Sequence, residues 1–100
     1  MTGAVQAFQP AGTVTVAASA TSAFGVLPTG GDAVLVTNAT AAIAFVRVDN
    51  GTPTATAADT PVLPNSARLL AAPSTVNAVA VLLASGSGNV FVTRGSGTAI

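Results

Sequence analysis

Short runs of alternating apolar and polar residues, separated by turn-forming residues, recur along the whole chain. Residues 13–16 set two valines against two threonines, and residues 34–37 and 43–48 are further runs rich in β-branched or aromatic side chains. Successive residues of a strand point to opposite faces of a sheet, so this spacing is typical of half-buried strands. Further candidates are residues 66–70, 76–83 and 89–94. The pattern predicts an all-β protein.

Glycine, proline and asparagine mark turns between these runs at intervals of roughly 8–12 residues, which favours an antiparallel sandwich or barrel. We expect one domain, an antiparallel β-sandwich or barrel that is jelly-roll-like. Asn50-Gly51 is the strongest hairpin signal and predicts a returning strand over residues 52–56. Pro61 and Pro64 place the segment between them at a sheet edge, because proline cannot donate to a strand ladder.

The two ends of the chain differ from its middle. We expect an extended N-terminal arm over residues 1–12, the β-sandwich domain over residues 13–94, and a flexible Gly/Ser/Thr tail over residues 95–100. Val5 and Phe8 are apolar residues of the arm. Either they dock the arm onto a neighbouring subunit or the ends simply fray.

Charge is the most unusual aspect of the composition. The chain has three arginines and three aspartates, 6% of its residues, and a formal net charge of zero. An ordinary soluble domain carries roughly a quarter of its residues as charges, which keep its surface hydrated and its neighbours apart. We therefore expect contact with other chains to complete the burial of this surface, as in a component of an assembly.

The residue inventory argues against catalysis and against several kinds of ligand. The chain has no His, Cys, Lys or Glu, so it lacks the usual general bases, activated nucleophiles and metal ligands. We expect no enzyme activity, no catalytic residues, no cofactor and no metal. Three scattered arginines do not form a nucleic-acid-binding stripe, and no apolar run is long enough to span a membrane. Asn38-Ala39-Thr40 fits the glycosylation pattern, but no secretion signal accompanies it.

Several strands are apolar on both faces, which is expected of a sheet that packs against a partner. The candidate contact residues are the apolar arm and an adjacent leucine pair, together with the three arginines. They are Val5, Phe8, Arg47, Arg68, Leu69, Leu70 and Arg94. Each arginine either pairs with an aspartate across an interface and so fixes its register, or is a solvated strand end beside an aspartate of the same chain.

Motifs along nearly the full length carry a resemblance to a known group of proteins. They are Ala7-Phe8-Gln9-Pro10, Val34-Leu35-Val36-Thr37-Asn38, Phe45-Val46-Arg47-Val48, Asp59-Thr60-Pro61-Val62-Leu63-Pro64 and Val90-Phe91-Val92-Thr93-Arg94-Gly95. The chain resembles the small structural proteins of tailed-bacteriophage virions. The resemblance implies a β-rich accessory protein of the capsid decoration or cement type, and it brings no catalytic residues.

The leading hypothesis is a structural virion protein that decorates and stabilises a bacteriophage capsid by binding its outer surface across subunit boundaries. Its partners would be the major capsid protein or other virion proteins, and it would form a homo-oligomer. It would act on the capsid exterior after assembly in the host cytoplasm. One alternative is a tail, head–tail or fibre-base subunit. Another is a receptor- or glycan-binding display module, with its binding face formed by the loops at Gly30-Gly31 and Gly86–Gly88.

Overall fold

The computed structural model describes residues 8–73 and 75–97, which form eight β-strands. The strands are β1 (Gln9–Ser19), β2 (Ala23–Val26), β3 (Ala33–Asn38), β4 (Ala44–Asp49), β5 (Thr60–Val62), β6 (Ser66–Ala71), β7 (Ala78–Leu83) and β8 (Ser87–Ser96). The described residues contain no helix that is long and apolar enough to cross a bilayer. The prediction of an all-β protein is confirmed.

The strands form two antiparallel sheets of four. Sheet I has the order β1-β8-β3-β6, and sheet II has the order β2-β7-β4-β5. The pairing is nested along the chain: β1 pairs with β8, β2 with β7, β3 with β6 and β4 with β5. The chain thus resembles one long two-stranded ribbon whose halves alternate between the two sheets.

A single hydrophobic core lies between the sheets. Its members come from alternate positions of the strands, because only one face of each sheet points inward. Sheet I supplies Val16, Ala18, Val34, Val36, Val90 and Val92, and sheet II supplies Ala44, Val46, Val62, Val79, Val81 and Leu83. The arrangement is therefore sandwich-like, with a core built almost entirely from small and β-branched side chains.

The sheet reaches beyond both boundaries of the domain expected over residues 13–94. β1 already begins at Gln9, and its first residues pair with the end of β8, Gln9 with Ser96 and Pro10 with Gly95. Residues 9–12 of the expected arm therefore belong to sheet I. Val5 and the other residues of segment 1–7, like residues 98–100 of the expected tail, lie outside the described residues.

The predicted hairpin at Asn50-Gly51 is wrong in its second strand. Gly51 has a positive φ of 76°, as expected of a turn residue. However, the strand that returns beside β4 is β5, which begins only at Thr60. Asn50 and Gly51 bond the β6–β7 loop instead: the Asn77 N–H donates to Asn50 Oδ1, and the Gly51 N–H donates to Asn77 Oδ1. The edge position expected from Pro61 is confirmed, since β5 is an edge strand.

Candidate interaction surfaces

Sheet II presents an apolar outer surface. Val46 of β4 and Val79 and Val81 of β7 point into the core. The residues that alternate with them along each strand therefore point outward. On the edge strand β2, Phe24 is 48% exposed and Val26 is 69% exposed. We call this surface the apolar face of sheet II; its members are Phe24, Val26, Phe45, Ala78, Ala80 and Leu82.

The strand register packs the apolar face tightly. Ala80 lies between Phe24 on one side and Arg47 on the other. Ala80 is fully buried although it points outward, so the larger side chains beside it must cover it. Phe45 lies in register with Leu82 and Pro61. The result is a nearly continuous apolar layer over four strands.

The charges on this face are concentrated at one position. Arg47 Nη1 lies 3.3 Å from Asp59 Oδ1, and Arg47 Nε lies 3.7 Å from Asp49 Oδ2. Asp59 Oδ2 also accepts from the Thr56 N–H at 2.7 Å, which holds the carboxylate in its turn. The pair with Asp49 is exposed on both sides, and such a pair contributes only about 0–1 kcal/mol, so Arg47 can give up Asp49 at little cost. Two roles are predicted for the arginines, and Arg47 fits the second, a strand-end residue beside an aspartate of the same chain.

The outer face of sheet I is more polar. Its edge carries exposed threonines, and Thr13 Oγ1 and Thr93 Oγ1 share a hydrogen bond of 2.8 Å across β1 and β8. Leu35 and Phe91 lie among them and are only partly buried. The two outer faces therefore differ in chemistry, and two of the three exposed large apolar side chains, Phe24 and Val26, lie on sheet II.

The Leu69-Leu70 pair is divided between two surfaces. Leu69 lies opposite Leu35 on the outer face of sheet I, whereas Leu70 lies opposite Val34 and packs against the core. Adjacent strand residues point in opposite directions, so one interface cannot use both side chains equally. Arg68 is exposed and donates from Nη1 to the carbonyl oxygen of Pro61 at 3.3 Å.

Arg94 lies in the interior and is only 2% exposed. Its guanidinium donates to four backbone carbonyls, those of Gly31, Ala72, Pro73 and Val76, at 2.8–3.2 Å. Among the described residues, no carboxylate pairs with it and its Nε has no hydrogen-bond partner. The side chain ties two loops to the end of β8, and it offers nothing to a surface contact in this conformation.

Asn38 is a second buried polar centre, and it occupies the glycosylation pattern. Its Nδ2 donates to the carbonyl oxygens of Ala42, Val62 and Leu63, and its Oδ1 accepts from the N–H and hydroxyl of Thr40. The side chain is fully buried. The amide nitrogen that would carry a glycan is thus enclosed and engaged, which makes Asn38 a structural residue.

The loops expected to form one display face lie at opposite ends of sheet I. Gly31 contacts Gly95 near the end of β8, and a Cβ placed on Gly31 would clash with the Gly95 carbonyl oxygen. Gly88 lies at the start of β8, opposite Ala18 and against Thr40. Gly88 and Gly95 are seven positions apart along β8, which corresponds to about 23 Å. The two loops therefore lie at opposite ends of β8 and not side by side.

Phe8 contacts its own chain at the end of β8. A Cβ on Gly95 would come within 2.7 Å of Phe8 Cζ, so the aromatic ring rests on the glycine. Only a residue without a side chain permits this approach. Phe8, which was expected to contact a neighbouring subunit, thus contacts Gly95 of its own chain.

A shallow pocket of about 310 Å³ lies beside the end of β6. It is lined by Asp32, Ala33, Leu69, Leu70, Ala71 and Gly97. Within residues 8–73 and 75–97, no group of three metal-ligating side chains comes together. The pocket combines one carboxylate with apolar walls, which suits the side chain of a partner better than catalysis.

Phe24 and Val26 are the surface residues that the sequence prediction missed. Ala23-Phe24-Gly25-Val26 does alternate, but it is short and contains a glycine, which lowers strand propensity. Comparisons with protein-family models, curated proteins and solved structures give no match to this chain.

Proposed function

We propose that this chain is a non-enzymatic structural subunit that decorates and stabilises a bacteriophage capsid by binding its outer surface across subunit boundaries. Its partner would be the major capsid protein or another virion protein. Two properties support the proposal, the strand order and the chemistry of the outer faces.

We further propose that the fold is a jelly roll. The support is the nested pairing, which distributes eight strands over two four-stranded antiparallel sheets. Jelly rolls have eight strands in two sheets and occur in viral capsid domains, lectins and cupins. A fold does not by itself imply a function. The sequence lacks the histidines of a typical metal site and has few aromatic residues for sugar stacking, which leaves the capsid role favoured among these three.

The observation that carries the function is the apolar face of sheet II on a chain with six charges. Exposed apolar patches of this kind mark protein-binding surfaces. A stable contact buries about 800 Å² on each partner. That is roughly a sixth of the 5147 Å² surface of this chain, so one face of the domain supplies enough area.

The proposed mechanism is mechanical. Burial of Phe24 and Val26 against the capsid would provide the affinity, at about 25 cal/mol per Å² of apolar area. Arg47 would exchange Asp49 for a carboxylate of the capsid and so fix the register. The closely packed small side chains behind this face would resist compression and transmit strain, because close-packed interiors have low compressibility.

The test is co-sedimentation with empty, expanded capsids of the corresponding phage. The unmodified protein is expected to pellet with the capsids, and Val26→Asp is expected to remain in the supernatant because a carboxylate would be buried without a partner. The matched control is Thr15→Asp, a similarly exposed strand position on sheet I, which should bind like the unmodified protein. Circular dichroism establishes that both variants are folded.

A count of copies per particle by quantitative mass spectrometry separates the capsid from the tail. A capsid lattice requires hundreds of copies, whereas a tail or head–tail ring contains a few tens at most. Absence of capsid binding, or a low copy number, would contradict the proposal.

A further inference from the structure

β6 is the least covered long strand of the molecule. Among the described strands of six or more residues, it is the only one in which no residue is buried. It lies at the edge of sheet I, so one side of its backbone has no neighbouring strand among residues 8–73 and 75–97. Unpaired N–H and C=O groups along such an edge are a template for pairing with another chain.

The other three edge strands have features that discourage pairing. β5 has only three residues and contains Pro61, and β2 has only four residues. β1 contains Pro10, shifts register between Pro10 and Gly12, and has buried residues at Val16 and Ala18. β6 has no proline, and its register with β3 is regular from Ser66 to Ala71. Short strands, prolines and bulges protect natural edges, and β6 has none of the three.

Two charges of opposite sign lie beside β6. Arg68 is exposed, and in the described part of the chain it forms no ion pair. Asp32 lines the pocket beside Leu69 and Ala71, and its carbonyl oxygen accepts from the Ala72 N–H just beyond the end of β6. Its carboxylate likewise has no ion pair among the described residues. An antiparallel neighbour would bring the Arg68 of one copy toward the Asp32 of the other.

We propose that β6 pairs with β6 of a second copy of this chain, antiparallel and about a two-fold axis, so that sheet I continues from one copy into the other. The edge is self-complementary in backbone, in apolar surface and in charge. The inference rests on the proposed function only in that a decorating subunit acts in many copies.

Charge selects the register. Centring the pair on Arg68 would place two guanidinium groups directly opposite each other, which is destabilising. Centring it on Leu69 places the two leucines opposite each other on the outer face and sets Arg68 beside Leu70 of the second copy. In that register Arg68 of one copy lies opposite Leu70 of the other, which is one of the residues that line the pocket at the end of β6.

Because the chain has no cysteine, a single introduced thiol tests this register directly. Leu69→Cys is expected to give a covalently linked dimer with a short thiol-specific bifunctional reagent, since directly opposed strand residues have Cβ atoms about 4.5–5.5 Å apart, slightly more than a direct disulfide spans. The control is Thr15→Cys on the outer face of β1, at the other edge of sheet I. It is expected to remain monomeric on a non-reducing gel at the same protein concentration.

A charge exchange tests the ionic contact independently. Arg68→Asp is expected to weaken dimerisation about tenfold, because two symmetry-related attractions become repulsions. The double variant with Asp32→Arg is expected to recover the affinity, measured by sedimentation equilibrium. A purely structural effect of either single substitution would not be reversed by the second.

The inference is overturned if Leu69→Cys cross-links no faster than Thr15→Cys, or if the double variant does not recover. The proposed function has a separate readout. If Arg68→Asp is monomeric and still binds capsids, the capsid role stands and does not require β6 pairing. A β6 dimer that fails to bind capsids would retain the inference and remove the capsid role.

Discussion

Two polar side chains carry a large part of the architecture at the scale of single residues. Burying a charge or an amide is costly unless its hydrogen bonds are made. Asn38 meets this condition with five contacts, and Arg94 meets it with four carbonyl oxygens for every nitrogen of its guanidinium except Nε, which has no partner among the described residues. Both close an end of the core, where loops would otherwise leave backbone carbonyls without donors. Each residue thus fixes loop positions that the small apolar core cannot fix alone.

Replacing Arg94 should destabilise the fold strongly. Arg94→Met keeps much of the side-chain volume but removes every donor, so four carbonyls lose their partner. We expect a loss of at least about 3 kcal/mol in the free energy of unfolding, the value of two or more charge-assisted hydrogen bonds. Arg94→Lys should lose less, because an ammonium retains the charge and three donors. Urea denaturation measures both, and an Arg94→Met variant as stable as the parent would contradict the assigned role.

The roles of these residues could not be predicted from sequence. Arg47 and Arg94 have similar local contexts, since each lies near the end of a strand shortly after a phenylalanine and a valine. Their different positions arise from topology: β8 is central in sheet I, and the loop after β6 folds over its end. Only long-range pairing brings the carbonyls of Gly31 and Pro73 to Arg94.

At the scale of strands, the sequence predicts where a strand lies along the chain better than it predicts which strand pairs with it. The runs at 34–37, 43–48, 76–83 and 89–94 overlap β3, β4, β7 and β8 closely. Alternation reports burial on one face, which is a local property. The choice of partner depends on contacts far apart in sequence, and for that reason the strand expected after Gly51 was placed wrongly. β2 was missed because four residues with a glycine give little periodic signal.

The connection between β2 and β3 requires a glycine at position 31, where its backbone lies close to the backbone of β8. Gly31 combines a φ of 131° with backbone contact to Gly95, whereas Gly51 has a φ of 76° and nothing within 4 Å of an added Cβ. We expect Gly51→Ala to cost about 1 kcal/mol through backbone conformation alone. Gly31→Ala should cost clearly more, since the loop must also move away from β8.

Thermal unfolding of the two glycine variants side by side is the measurement. The melting temperature of Gly31→Ala should fall well below that of Gly51→Ala. Equal melting temperatures would mean that the contact between Gly31 and Gly95 contributes nothing to stability.

At the scale of the whole molecule, the two outer surfaces have different properties. Sheet I is covered with threonine hydroxyls and sheet II with apolar side chains, and one cluster of charges lies on the latter. Such an asymmetry is useful to a subunit that has one side against a partner and the other toward solvent. The net charge of the chain is zero, so there is little electrostatic repulsion between copies.

Solubility should therefore respond to a single added charge. Leu63 is 62% exposed and uses only its carbonyl oxygen in the hydrogen bonds described here. Leu63→Lys is expected to raise the polyethylene glycol concentration needed for precipitation, with a stability change within about 0.5 kcal/mol. Leu63→Ala is the matched control, since it removes the same apolar surface without adding charge. If the two variants precipitate together, loss of apolar area rather than repulsion governs solubility.

The nested ribbon also determines how the molecule can fold. The register partners Val16 and Val90 meet across most of the chain, and the pairs of β2 with β7 and β3 with β6 are long-range as well. Rates of folding decrease as the mean sequence separation of contacts increases, and all-β domains of this kind fold in milliseconds to seconds. On the ribosome, β1 therefore waits without its neighbour until β8 has been synthesised, so its prolonged exposure is a period of vulnerability to misassociation.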